Sequence, residues 1–105
     1  MIICSKHEGN GTYREFMLDD AEMGDRTPVK THVAQRANGE VIAEDDWREA
    51  GVITRAQNGV EAAVLRSVRR GRNSDFVKLN QVFPNEVAAL QAIAKHYVPA
   101  STLKN

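Results

Sequence analysis

The 105-residue chain has little of several features that define common classes of protein. Its single cysteine, Cys4, excludes an internal disulfide. Aromatic residues make up 6% of the chain, and the longest apolar runs are only four residues, at 1–4, 62–65 and 87–90. A membrane-spanning helix needs about twenty apolar residues and the core of a signal peptide at least about seven. The sequence therefore predicts a cytoplasmic protein with a reduced thiol and no membrane partner.

Motifs for catalysis and for metal binding are also lacking. Cys4 and His7 form one close-spaced pair of potential zinc ligands, whereas structural zinc sites usually contain two such pairs. No sequence spacing supports Cys4 as a nucleophile with His32 as its base. We therefore expect no cofactor and no metal, and no catalytic residue is identified. An enzyme without a recognisable motif is the third and least favoured functional hypothesis.

What is present fits one folded domain. The chain length is that of a single domain, and a content of 42% hydrophobic and 27% charged residues is typical of globular rather than disordered chains. We expect a single domain over residues 1–98, followed by a polar C-terminal tail at 99–105.

The net charge of zero conceals an uneven distribution along the chain. Residues 1–50 contain eleven acidic and six basic residues, a net charge of −5, whereas residues 51–105 contain three acidic and eight basic residues, a net charge of +5. The acidic residues that we expect on the surface are Asp19, Asp20, Glu22, Asp25, Glu44, Asp45, Asp46 and Glu49.

Several segments have the patterns of β-strands. Residues 1–4 and 13–18 predict two strands, and an acidic loop follows at 19–28. The Asn38-Gly39 pair between two strand-like runs, 29–37 and 40–44, is the preferred two-residue turn of a β-hairpin. The predicted register places Ala37 opposite Glu40, Gln35 opposite Ile42 and Val33 opposite Glu44. Alternation puts Val29, Thr31 and Val33 on one face of the strand and Lys30, His32 and Arg36 on the other.

The second half of the chain predicts helices alternating with one further strand. Acidic residues before Trp47 suggest a short helix that ends at Gly51, and residues 52–55 are ambiguous. Asn58 as N-cap, with Val60, Val64, Leu65 and Val68 at helical spacing, predicts a helix over 60–71. A strand at 75–83 and a helix between Pro84 and Pro99 follow. The whole is predicted to be an α+β domain. Its mainly antiparallel sheet has four to five strands, with two or three helices on one face.

The most distinctive motif is a basic cluster formed by Arg66, Arg69, Arg70 and Arg72. Arginine side chains of this density bind acidic protein surfaces or phosphate groups. We favour a small non-catalytic regulatory or adaptor protein. It would act by contact with another protein or with itself, using the acidic N-terminal half and the arginine cluster. Nucleic-acid binding through the same arginines is the alternative, including a helix-turn-helix over 45–71, although the neutral net charge argues against it.

Overall fold

The computed structural model describes residues 2–9, 11–19, 24–67 and 75–97, and in these ranges the chain is mainly β-strand. Seven strands and one helix follow one another. They are β1 (Ile2–Gly9), β2 (Thr12–Leu18), β3 (Arg26–Ala37), β4 (Glu40–Glu44), β5 (Arg48–Ala56), β6 (Gly59–Ser67), β7 (Asp75–Phe83) and α1 (Glu86–His96). Over the same ranges, no helix is long and apolar enough to cross a membrane.

The strands form one antiparallel sheet in the order β1-β2-β3-β5-β6-β7, and β4 pairs with β3. The twelve residues of β3 are enough for two partners along one edge. Its first half pairs with β5, and its last four residues pair with β4. The sheet curls into a half-barrel. We call its concave side the inner face and its convex side the outer face.

The hydrophobic core lies between α1 and the inner face. The helix contacts strands from β1 at one edge of the sheet to β7 at the other, which places it on the concave side. Its buried residues are Ala89, Leu90, Ile93 and Ala94. They belong to one cluster with fully buried side chains of the sheet, among them Phe16, Leu18, Val29 and Val64. Each large apolar side chain buried in this way contributes about 1.5–3 kcal/mol, so α1 holds the curled sheet together.

The prediction of a helix after Pro84 is confirmed. Asn85 is the N-cap, and its side-chain oxygen accepts a hydrogen bond of 2.9 Å from the backbone N–H of Ala88. Tyr97 follows the last helical residue and is buried edge-on against Phe16. Val87, in the first turn of the helix, is 45% exposed.

The turn of the predicted hairpin is also confirmed. Asn38 and Gly39 both have positive φ angles, 53° and 82°, as a two-residue hairpin turn of this kind requires. Ala37 pairs with Glu40 across the turn, as predicted. The sequence therefore determines this hairpin locally.

Two residues farther from the turn, the predicted register is wrong. Gln35 pairs with Ala43 rather than with Ile42, because Ile42 is the additional residue of a β-bulge. Glu44 consequently pairs with Ala34 instead of Val33. The bulge shifts β4 by one residue and changes which of its side chains share a face with those of β3.

The predicted α+β fold of four to five strands with two or three helices is wrong, since the described residues form seven strands and one short helix. The helix predicted to start at Asp45 is replaced by a connection at 45–47 and by β5, and Gly51 lies inside that strand. The helix predicted over 60–71 is replaced by β6 as far as Ser67. A helix-turn-helix is therefore excluded for this part of the chain.

Burial on both faces explains why β6 resembled a helix. Val60, Ala62 and Val64 contribute to the core on the inner face. Ala63 and Leu65 point to the opposite face and are also buried. A strand that is buried on both sides has no apolar–polar alternation, and alanine is a strong helix former. The apolar positions at 60, 64 and 65 then match helical spacing by coincidence.

Gly51 allows α1 to lie close to the sheet. A Cβ atom at this position would meet the backbone oxygen of Ala63 at 2.5 Å and two side-chain carbons of Ile93 at 3.2 Å. A side chain cannot be added there without moving β6 or α1. Gly51 is thus a packing position in the middle of the sheet rather than the end of a helix.

Candidate contact surface

The predicted arginine cluster lies almost entirely outside the described residues. Arg69, Arg70 and Arg72 are not among them, and of Arg66 only the backbone, in β6, is described. The helix that was expected to present these side chains is replaced by a strand at Arg66. The cluster as a binding site therefore stays a sequence prediction.

Half of the residues of the predicted acidic surface are brought together at one place. Asp20 and Glu22 lie outside the described residues, Asp19 is half-buried at the end of β2, and Asp25 is exposed before β3. The other four residues, Glu44, Asp45, Asp46 and Glu49, are all exposed and surround the connection between β4 and β5. We call that connection, residues 45–47, the corner.

Strand β4 forms an exposed arm beside the corner. All five of its residues are exposed, and among the described strands it pairs only with β3. Val41 and Ile42 are 44% and 61% exposed, and Glu40 and Glu44 flank them. The edge of β4 that faces away from β3 has no strand partner in the described chain. Such an edge offers backbone hydrogen-bonding groups to another strand.

Asp45 attaches the corner to β3. Its carboxylate accepts a hydrogen bond of 2.6 Å from the backbone N–H of Val33, and its own N–H donates to the Val33 carbonyl oxygen at 3.1 Å. The Arg48 guanidinium lies 3.5 Å from the same carboxylate. Asp45 is thus committed to structure, whereas Asp46 and Glu49 have exposed side chains in the same stretch.

His32 lies under the corner, with a side chain only 5% exposed. The indole of Trp47 stacks on its ring, with the ring centroids 3.6 Å apart and the planes 16° apart. Nε2 of His32 is 2.8 Å from a carboxylate oxygen of Glu15, and Nδ1 is 3.3 Å from the backbone carbonyl oxygen of Asp45. We call these four residues the His32 cluster.

The partners of His32 determine how its ring can bond. A carboxylate and a carbonyl oxygen are both hydrogen-bond acceptors, whereas a neutral imidazole has only one N–H to donate. The ring therefore makes both hydrogen bonds only as imidazolium, with both nitrogens protonated. The carboxylate of Glu15 also lies 3.9 Å from the Arg36 guanidinium, which links the cluster to the base of the arm.

The arm and the corner together form one acidic surface with exposed apolar groups. We call residues 40–49 the arm–corner surface. It contains five acidic residues and one basic residue. It also carries three of the large hydrophobic residues that are exposed in the described chain, Val41, Ile42 and Trp47. Arg36 pairs with Val41 and Glu15 pairs with His32, so the side chain of Val41 lies on the same outer face as the His32 cluster.

The charged groups on the inner face bond to the protein itself. Arg14 is buried, and its Nε is 3.2 Å from a carboxylate oxygen of Glu8. The same guanidinium donates to the hydroxyl of Thr31 at 3.4 Å and lies 5.2 Å from the centre of the Tyr97 ring. These contacts account for Arg14 as a structural residue.

Two open hollows show no catalytic arrangement. One, of about 380 Å³, is lined by Thr12, Val33, Gln35 and Ala43 together with the start of the corner. The other, of about 180 Å³, lies beside a bulge of β7, where Lys78 is 3.9 Å from Glu61. Neither brings a nucleophile and a base together.

The hypothetical pairing of Cys4 with His32 is not assembled. Cys4 is opposite Phe16 in the β1–β2 pair and packs against the core, whereas His32 is on the outer face. Burial raises the pKa of the Cys4 thiol above its ordinary value of 9.0, which disfavours the reactive thiolate. Over the described ranges, no group of three or more His, Cys, Asp or Glu residues is placed to hold a metal ion.

Comparison of the chain with protein-family models, with curated proteins and with solved structures finds no match. The function is therefore argued from the geometry of the arm–corner surface alone. Sequence patterns indicated its acidic residues and placed His32 and Arg36 on one strand face. They did not reveal Glu15 as the partner of His32, because that contact depends on the register of β2 against β3. The sequence pattern placed Trp47 in a helix. Its acidic neighbours are the one sequence signal that is consistent with its position on the surface.

Proposed function

We propose that this protein is a small non-catalytic regulatory or adaptor protein that binds a partner protein through the arm–corner surface. The observation that supports the proposal is the exposure of Val41, Ile42 and Trp47 within a strongly acidic surface, beside a strand edge that is unpaired among the described residues. Exposed apolar groups of this size supply the buried area of an interface, and aromatic residues are favoured there. The surrounding charge selects the partner and accelerates association.

The chemistry of the arm favours an extended, basic partner segment. A strand added to the free edge of β4 gains backbone hydrogen bonds, and its side chains meet Glu40 and Glu44 at the two ends of the strand. In a symmetric antiparallel pair of two β4 strands, Glu40 of one copy would be opposite Glu44 of the other, and like charges in that position are destabilising. Basic residues at both ends of an incoming segment would be attracted instead.

The chain itself contains a segment of the required chemistry. Four arginines lie within residues 66–72, so a second copy of the chain is one partner that fits. Contact between the acidic arm of one copy and the basic segment of another would give a homo-oligomer whose formation weakens with salt.

A labelled peptide with the sequence of residues 64–74 tests the proposal. We expect its fluorescence anisotropy to rise when the protein is added at about 0.1 M salt, and the affinity to fall at about 1 M salt, where the Debye length is about 3 Å instead of about 10 Å. The control peptide carries glutamine in place of all four arginines. Equal binding of the two peptides, or no binding at the lower salt concentration, would contradict the proposal.

Charge reversal on the protein locates the contact. We expect the double variant Glu40→Lys, Glu44→Lys to lose most of the peptide affinity, whereas Asp25→Lys, an exposed acidic residue outside the arm–corner surface, retains it. Light scattering of the same variants at both salt concentrations reports self-association. Loss of binding in Asp25→Lys to the same extent would show that the arm is not the contact.

Nucleic-acid binding through Arg66, Arg69, Arg70 and Arg72 stays a sequence prediction. Labelled single-stranded and duplex DNA in the same titration tests it. Salt-sensitive binding of DNA that exceeds binding of the peptide would favour that alternative.

A further inference from the structure

We propose that the His32 cluster is a proton-sensitive latch that holds the indole of Trp47 against the sheet when His32 is protonated and releases it when His32 is neutral. The inference rests on the proposed function only for its biological consequence, which is control of the arm–corner surface. The latch itself stands on the geometry of three side chains and one backbone carbonyl, and it can be tested without any partner.

The number of hydrogen bonds that the His32 ring makes depends on its protonation. Because both ring nitrogens face oxygen acceptors, the imidazolium form makes two hydrogen bonds and the neutral form makes one. The bond to Glu15 is short and involves a carboxylate, so the neutral ring keeps its proton on Nε2. The Nδ1 lone pair of the neutral ring then faces the carbonyl oxygen of Asp45. The attractive hydrogen bond between these two atoms is thereby replaced by a repulsion between two lone pairs.

The His32 ring contacts both the corner and the indole of Trp47. Asp45 belongs to the corner, and Trp47 stacks directly on His32. Loss of the contact to the Asp45 carbonyl and of the interaction between a cation and the indole face weakens both attachments at once. The two hydrogen bonds between Val33 and Asp45 remain, one to the Asp45 carboxylate and one from the Asp45 backbone N–H, so the corner stays attached to β3 while the indole is freed.

The charged groups around His32 set the direction of the pH dependence. They come from every neighbouring element: Glu15 on β2, Lys30 and Arg36 on β3, Glu44 on β4, Asp45 in the corner, and Arg48 and Glu49 on β5. Glu15 is the one whose carboxylate touches the ring. The latched state binds a proton, so its stability relative to the released state is largest at acidic pH. It decreases as pH rises through the range in which histidines titrate, about pH 5 to 8.

Deprotonation of His32 should strengthen the binding of a basic partner segment to the arm–corner surface. When His32 is neutral, the arm–corner surface has one positive charge fewer beneath it, and the indole of Trp47 is freer to contact a partner. Both changes favour a basic segment. We therefore expect the peptide of residues 64–74 to bind more tightly at about pH 8 than at about pH 6.

The fluorescence of Trp47, the only tryptophan in the chain, reports the latch directly. A stacked imidazolium quenches indole emission more strongly than a neutral imidazole. We expect emission and acrylamide accessibility to rise between about pH 5 and 8 in the natural protein. The rise should be absent in His32→Gln and unchanged in His7→Gln and His96→Gln, which remove the other two histidines. A flat profile in the natural protein, or a normal rise in His32→Gln, would overturn the proposal.

A second variant keeps the proposal testable if His32→Gln does not fold. Glu15→Gln retains the histidine and the tryptophan but replaces the carboxylate that faces Nε2 of His32 by a neutral amide, so the pH profile of the fluorescence should differ from that of the natural protein. An identical profile would overturn the latch. A normal fluorescence titration with no peptide binding at either pH would contradict the proposed function alone. A flat titration with peptide binding would contradict the latch alone.

Discussion

Replacing Gly51 by alanine tests the packing of α1 on the sheet. The added Cβ atom would lie 2.5 Å from the carbonyl oxygen of Ala63 and 3.2 Å from Cδ1 and Cγ2 of Ile93. An ordinary contact begins near 3.4 Å, so β5 and β6 would have to separate by about 0.9 Å at this point. Backbone atoms of a paired strand cannot turn aside as the end of a flexible side chain can.

The size of the effect follows from two opposing terms. Overpacking a filled core lowers the free energy of unfolding by about 1–3 kcal/mol. The smaller conformational freedom of alanine in the unfolded chain raises it by about 0.4–1 kcal/mol. We therefore expect Gly51→Ala to lower the free energy of unfolding by about 1–2 kcal/mol. Small domains have a total stability of about 5–15 kcal/mol. For a chain of this length, the change corresponds to a decrease in Tm of about 4–8 °C for each kcal/mol.

Urea denaturation followed by circular dichroism measures the difference. The matched control is Gly24→Ala, because a Cβ atom there would meet nothing within 4 Å, and we expect it to raise stability by about 0.4–1 kcal/mol through the unfolded chain alone. In an Ile93→Val background, the penalty of Gly51→Ala should decrease but not disappear. The contact with Cδ1 is then removed, while the Ala63 oxygen remains. Equal stabilities of Gly51→Ala and Gly24→Ala would refute this account of the packing.

Two further predictions concern the helix cap and the thiol. Asn85→Ala removes the side-chain acceptor for the Ala88 N–H and should cost about 1 kcal/mol. Asn85→Asp keeps an acceptor and should cost less in the same urea titration, so equal losses would contradict the capping role. Because burial raises the pKa of Cys4, the folded thiol holds its proton to higher pH than the unfolded thiol does. Labelling by a disulfide reagent near pH 9 should therefore be slower in the folded protein than in urea, and the stability contributed by Cys4 should decrease as pH rises above about 9. Equal labelling rates would contradict this reading.

The parts of the fold that the sequence predicts are those determined by neighbouring residues. Asn38 and Gly39 fix their turn because both adopt positive φ angles. The helix after Pro84 has a cap, an amphipathic pattern and a clear end. In both cases the relevant interactions lie within a few residues of each other.

The parts that it does not predict depend on distant contacts. Whether Ala62 to Leu65 forms a helix or a strand is decided by pairing with β5 and β7 and by burial on both faces. The bulge at Ile42 shifts the register without any sequence signal. The same limit applies to the candidate site. The acidic residues of the corner were expected on the surface, but the contact of His32 with Glu15 exists only because β2 and β3 are aligned.

The contact of α1 with β1 has a consequence for the order in which the protein acquires its structure during synthesis. Consecutive strands pair with one another through most of the sheet, so the ribosome delivers each partner soon after the previous one. The helix is the last described element, yet it packs on the first, and Lys6 donates a hydrogen bond to the Ala94 carbonyl 88 positions later. Until that helix emerges, the nascent sheet has an uncovered apolar side. The sheet therefore gains its protected state only after the helix has been synthesised.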